Sequence, residues 1–167
     1  MRTFGVVGVV VALLSVDARA AATDELAALY ARGAYEQVRA RARGPGAKAA
    51  LWAARAERAV GQLRKARSRL ELATVKAPRD LALRAELADV LAELGEHQAV
   101  ADLVALTDEE REDGRFDEKR SDVLVGLARL ARLGGRWKDA HAFFHGAVRL
   151  DPKAAAPNVA WGALLLE

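Results

Sequence analysis

The sequence contains no cysteine, four prolines, three histidines and few aromatic side chains, which make up 5% of 167 residues. Without cysteine there is no disulfide framework, no thiolate nucleophile and no zinc–sulfur site. β-Branched and aromatic runs are scarce beyond the N-terminus, so the usual material of a β-sheet is missing. Charge of one sign is missing as well. The 26 basic and 23 acidic residues leave a net charge of +3 and are interspersed along the chain. No long positive stripe is offered to a phosphate backbone, and nucleic-acid binding is not expected.

What is present favours helices. Alanine (38) and leucine (23) dominate, and both are good helix formers. An alanine-rich, aromatic-poor interior suits helices that approach closely. Arginine outnumbers lysine 20 to 6, which together with the alanine and glycine usage suggests a GC-rich bacterial genome and says nothing of chemistry.

The N-terminus differs from the rest. Arg2 supplies a short positive segment, Phe4 to Val16 form an apolar stretch of 13 residues, and Ala18-Arg19-Ala20 gives a small-x-small cleavage pattern before Ala21. Thirteen residues fall short of the ~20 needed to span a bilayer. Residues 1–20 are therefore expected to be a secretory signal peptide, with the mature protein periplasmic or secreted in a bacterial cell envelope and no membrane span left after cleavage. An uncleaved anchor or a plain N-terminal helix is the alternative. No cysteine is available for lipid attachment.

A repeat organises the remainder. Gly61 and Gly95 stand 34 residues apart, each after an apolar-periodic helix of about 14 residues; Gly135 follows at 34 plus six, and Gly33 precedes Gly61 at 34 minus six. A glycine here ends a helix in the left-handed conformation and lets the chain reverse at once. Ala66, Leu70, Ala73 and Pro78 follow Gly61 at the same offsets as Ala140, Phe144, Ala147 and Pro152 follow Gly135. Small alanines permit the second helix of a hairpin to close on the first, Leu70 and Phe144 supply a large knob, and the prolines punctuate the passage onward.

On these residues the chain resembles the tetratricopeptide repeat, whose period is 34 residues. The resemblance implies an all-α solenoid of antiparallel helical hairpins wound into a right-handed superhelix. It assigns repeats to Ala47–Asp80, Leu81–Gly114 and Ser121–Ala154, preceded over 21–46 by a shortened hairpin around Gly33 that Gly44-Pro45-Gly46 closes. The middle repeat departs from the pattern: Val100 and Thr107 replace alanines and Glu112 replaces the proline. Asp108–Arg120 carries eleven charged residues in thirteen and includes a charged insertion at 115–120. It is either a solvated helix end and loop or a partner-contacting loop with Phe116 as an exposed apolar anchor. Residues 155–167 resemble the first helix of a further, truncated repeat, with Trp161-Gly162 and Leu165 on its packing positions. Ala160, Trp161, Ala163, Leu164, Leu165 and Leu166 suit a solvent-facing cap poorly, and the chain resembles the N-terminal part of a longer protein.

No active site is expected. His141 and His145 are spaced i, i+4 and could reach one metal, but Ala142 stands where a hydrolytic zinc helix needs glutamate and no third ligand is evident. Ser15, Ser68 and Ser121 lack the glycine-flanked turn of a nucleophile elbow, Ser121 having instead the place of a helix N-cap. Phosphate-cradling glycine loops are missing. No cofactor and no metal are expected, and the chain is not expected to be an enzyme.

The resemblance implies instead that the first helix of each hairpin lines a concave groove that holds a protein or peptide partner. The groove positions fall on Lys48, Arg55 and Arg58 in the first full repeat, on Asp89 and Glu93 in the second, and on Asp122, Arg129 and Arg132 in the third. That basic, acidic, basic order suits a mixed-charge peptide or helix; the alternative is that these residues are simply solvated or pair with one another across repeats. The only asparagine, Asn158, argues against the asparagine-based carboxylate clamp of chaperone-tail receptors. The expected function is an exported scaffold for protein–protein interaction in the cell envelope. The alternative is the N-terminal, non-catalytic repeat module of a longer envelope enzyme such as a peptidase.

Overall fold

The computed structural model describes residues 24–44 and 46–164, and every regular element among them is an α-helix. The leader expected over 1–20 and the packing position expected for Leu165 lie outside the described residues. Helix α1 covers 24–31. It is followed by α2 (Tyr35–Arg41), α3 (Ala47–Ala59), α4 (Leu63–Lys76), α5 (Leu81–Glu93), α6 (His97–Glu112), α7 (Ser121–Leu133), α8 (Trp137–Leu150) and α9 (Ala155–Leu164).

Each reversal uses the same device. Gly61, Gly95 and Gly135 have φ of 75°, 77° and 72°, where a Cβ would be strained. The next residue then donates its N–H to the carbonyl five positions back: Gln62 to Glu57 (2.8 Å), Glu96 to Leu91 (2.9 Å) and Arg136 to Ala131 (2.8 Å). These bonds satisfy carbonyls that the helix end would leave without a partner. Gly33 does the same for the shortened hairpin, with Ala34 donating to Leu29 (3.0 Å).

With three-residue turns, the two helices of a hairpin must lie antiparallel and in contact. Helix α5 touches α3 and α7, and α7 touches α9, so the first helices form one layer. Behind them, α4 fills in between α3 and α5, and α6 and α8 back α5 and α7. The result is an all-α solenoid of stacked hairpins.

The core follows the repeat frame. Ala66, Leu70 and Ala73 are buried in α4, and Ala140, Phe144 and Ala147 in α8. Val100, Val104 and Thr107 take these places in α6, and Val38 and Ala42 take the first two in the shortened hairpin. A side chain such as Leu70 contributes about 2–3 kcal/mol through its removal from water. Helix α5, central in the first layer, is buried nearly all round from Leu81 to Leu91.

The departures of the middle repeat have local causes. Thr107 accepts a hydrogen bond from the buried Arg84 guanidinium (3.2 Å) and donates to the Leu103 carbonyl (2.8 Å), which alanine could not do. Without a proline at 112, α6 runs to Glu112 and ends at Gly114, whose φ is 71°. Two expectations are corrected here. Phe116 is not an exposed anchor: it packs against the main core, with the Arg84 guanidinium 5.8 Å from its ring centroid. The N-cap of α7 is Arg120, in extended conformation, and Ser121 is already the first helical residue. The side-chain cap occurs instead at Asp80, which accepts from the N–H groups of Ala82 (3.0 Å) and Leu83 (3.2 Å) at the start of α5.

Candidate functional site: the first-helix layer

Glu86, Asp89 and Glu93 follow one another at i, i+3 and i+7, which places them on one stripe of α5. The neighbouring helices turn arginines toward that stripe from both sides: Arg55 and Arg58 from α3, Arg129 and Arg132 from α7. Arg55 reaches Glu86 at 3.0 Å. Arg58 reaches Glu86 at 3.0 Å, Asp89 at 3.5 Å and Glu93 at 2.5 Å. From the other side, Arg129 reaches Glu86 at 3.0 Å and also pairs with Asp89, and Arg132 stands 3.5 Å from Asp89.

Burial makes this network more than surface charge. The Glu86 side chain is 3% exposed and that of Asp89 8%, while the arginines are progressively more open, from 18% at Arg129 to 31% at Arg132. Burial on its own would push the Glu86 carboxyl up, but the Arg129 and Arg55 guanidiniums outweigh it and pull the group down to about 2. Arg58 is correspondingly held above its usual range: burial opposes its charge, and the bond to Glu93 with the fields of Asp89 and Glu86 overcomes that. Glu86 and Arg58 are therefore both ionised at neutral pH.

Six of the eight residues assigned to the groove thus meet in one place. They are Arg55, Arg58, Asp89, Glu93, Arg129 and Arg132, and they engage one another across the hairpins. The other two stand apart: Lys48 is exposed near the start of α3, and Asp122 is exposed and paired with Arg120 at 2.6 Å. Glu86, the most buried member, escaped the sequence reading although its i−3 spacing from Asp89 signalled a shared face. Glu57 in α3 escaped it too. That carboxylate is 1% exposed and accepts two bonds from Arg69 of α4, at 2.9 and 2.7 Å.

Beside the network lies a pocket of about 580 Å³. Ala82, Val125, Gly126 and Pro157 give it apolar walls, and Arg55, Lys119, Arg120, Asp122, Arg129 and Asp151 supply its charged edge. Gly126 creates this geometry. A Cβ there would sit 2.5 Å from the Cβ of Leu81, so only glycine lets α5 and α7 approach this closely.

His141 and His145 are exposed, but neither is idle. Their rings stand edge-on to Trp161 of α9, with centroids 5.4 and 5.5 Å from it. They clasp the last helix rather than converge on a common point in solvent, and no cluster of three metal-ligating side chains occurs among the described residues.

Glycine turns in a 34-residue frame, alanine–large–alanine contacts and first helices gathered in one layer define the class: this is a tetratricopeptide-like fold. No protein-family model and no curated protein matches the chain. Among solved structures it is similar to a point mutant of MamA, at 17% identity over 90% of this chain and 88% of that one, with a TM-score of 0.46. It is similar to the MSR-1 MamA at 16% identity (87% and 83% covered, TM-score 0.46). The third is a thermophilic TPR protein of Thermus thermophilus, at 22% identity (87% and 72% covered, TM-score 0.43).

Proposed function

We propose that the protein is an exported scaffold that holds a segment of a protein partner along its first-helix layer. The observation that carries this reading is the pocket of about 580 Å³ on that layer, where Arg55, Asp122 and Arg129 edge an apolar floor. A floor with a few oriented polar groups is the usual composition of a recognition site. The neighbouring ion network holds the floor in shape before the partner arrives. Binding, rather than chemistry on the bound segment, is the assigned role.

The test is a random peptide library selected on the mature protein. Selected peptides should lose at least about tenfold in affinity when Val125 is changed to arginine, because the new side chain fills the pocket. Peptides whose binding ignores Val125→Arg would remove this site from consideration.

Export is the second part of the proposal and rests on Arg2, the Phe4–Val16 stretch and Ala18-Arg19-Ala20. No helix among the described residues is long and apolar enough to cross a membrane. Expressed in a Gram-negative host, the mature chain should begin at or near Ala21. A soluble cytoplasmic product that retains Met1 would defeat the assignment.

A further inference from the structure

The second helix of the first hairpin is half the length of its counterparts. Helix α2 has 7 residues, whereas α4 and α8 have 14 each. The difference is two helical turns, about 10 Å at 1.5 Å per residue. In the following hairpin the corresponding turns do a definite job: Ala73 and Ala77, near the end of α4, join the same core cluster as Leu81 at the start of α5. At the start of α3 that cover is replaced by the turn around Gly44 and Gly46.

A groove of about 510 Å³ remains there. Gly46, Ala47 and Ala50 form its floor on the α3 side, and α4 forms its wall with Leu72 and Lys76. Leu72 is 67% exposed and Val75, one turn along, is 80% exposed, so two large apolar side chains stand in solvent on the same helix. Among the described residues, the charged side chains that line the groove are Lys65, Arg69 and Lys76. Glu57 engages Lys65 (3.8 Å) and Arg69 (2.7 Å) from below, which leaves the rim with a positive excess.

We propose that this groove receives an amphipathic helix from an acidic protein partner, which lies where the missing turns of α2 would run. The small floor residues allow a helix backbone to approach closely, Leu72 offers apolar contact, and the lysine–arginine rim selects glutamate or aspartate on the flanks of the incoming helix. The groove shares no lining residue with the pocket of the first-helix layer, so the two sites can be occupied at once.

The test uses the full mature chain and a synthetic amphipathic peptide as long as α4, 14 residues, with leucines at i, i+4 and i+7 and glutamates flanking them. A second peptide carries lysine in place of every glutamate. Fluorescence anisotropy should show the acidic peptide binding at least about tenfold more tightly than the basic one. Leu72→Glu and Lys76→Glu should each weaken it at least about tenfold, and amide protection on binding should fall within residues 65–76. Both side chains are exposed, so the variants should keep the unfolding midpoint of the parent. The proposal is overturned if the acidic peptide fails to bind, if the two peptides bind alike, or if the variants bind as the parent does. It is equally overturned if binding is lost on Val125→Arg instead, or if the chain self-associates through Leu72 and so covers the groove with a second copy.

Discussion

Glu86→Gln tests whether the ion network fixes the first-helix layer. Glu86 sits at the centre of that layer and is pulled from an ordinary 4.5 down to about 2 by guanidiniums on both neighbouring helices. A depressed carboxyl contributes stability above its unfolded pKa and loses it as the pH falls toward the folded pKa. For a shift of this size the contribution at neutral pH is about 3 kcal/mol, of which about 2 kcal/mol is lost by about pH 3. The glutamine variant keeps the shape but not the charge, and leaving Arg129 and Arg55 without their shared carboxylate should cost about 3 kcal/mol at pH 7. Urea unfolding of both proteins at about pH 7 and about pH 3, followed by circular dichroism, measures the difference of the differences and removes the contribution of carboxylates outside the network. The parent should lose about 2 kcal/mol more than Glu86→Gln between the two pH values. Equal losses would mean that Glu86 is not held ionised by its arginines, and the account of the layer would fail.

Three further outcomes check the packing. Gly126→Ala places a Cβ 2.5 Å from that of Leu81, and neither backbone can yield cheaply; a loss of at least about 1–3 kcal/mol in denaturant unfolding is expected. Ala140→Leu should overpack the α7–α8 contact by about 1–3 kcal/mol, whereas exposed Lys138→Ala should cost under about 0.5 kcal/mol, and equal midpoints would contradict the repeat register. Arg136 would be a poor control, being half-buried and bonded to Asp108 at 2.7 Å. Trp161→Ala removes the ring between His141 and His145; amide exchange over residues 155–164 should speed up at least about tenfold while α3 to α7 keep their protection, and unchanged exchange would show that α9 docks by other contacts.

The parts of this structure that were legible in the sequence are those fixed by local steric demands. A left-handed residue calls for glycine wherever it occurs, so Gly33, Gly61, Gly95 and Gly135 marked the reversals, and the alanine–large–alanine spacing after them marked the hairpin contacts. What stayed hidden depends on partners far away in the chain. Glu86 looks like one more helical carboxylate until Arg55 and Arg129, 31 and 43 positions away, are brought to it. Thr107 looked like a defect in the repeat because the Arg84 it satisfies lies 23 residues earlier. The alternative that made Phe116 an exposed anchor fails for the opposite reason: eleven charges around it suggested solvent, whereas the ring packs against the core with the Arg84 guanidinium 5.8 Å from its centroid. For the residues assigned to the groove, the sequence left open whether they meet a partner, stay solvated or pair across repeats, and it could not show that six of them face one another around Glu86.

That fact changes how the first-helix layer can bind anything. A partner charge that sought Arg58 or Asp89 would have to displace a carboxylate or guanidinium already in place, and it would gain only the difference between two similar interactions. Alternating charge along the layer therefore supplies little attraction of its own. What it does supply is stiffness, since α3, α5 and α7 are tied through Glu86 and Asp89 and cannot splay apart without stranding buried charge. A layer fixed in this way loses little freedom when a partner docks, and a preformed site binds more tightly for the same contacts. In the proposed site, affinity must then come from the apolar floor beside Gly126, where α7 lies against Leu81 of α5, and from the exposed charges at its edge. Binding in that pocket should therefore respond to salt only as far as the partner engages those edge charges, because the buried charges of the layer are already spent on one another.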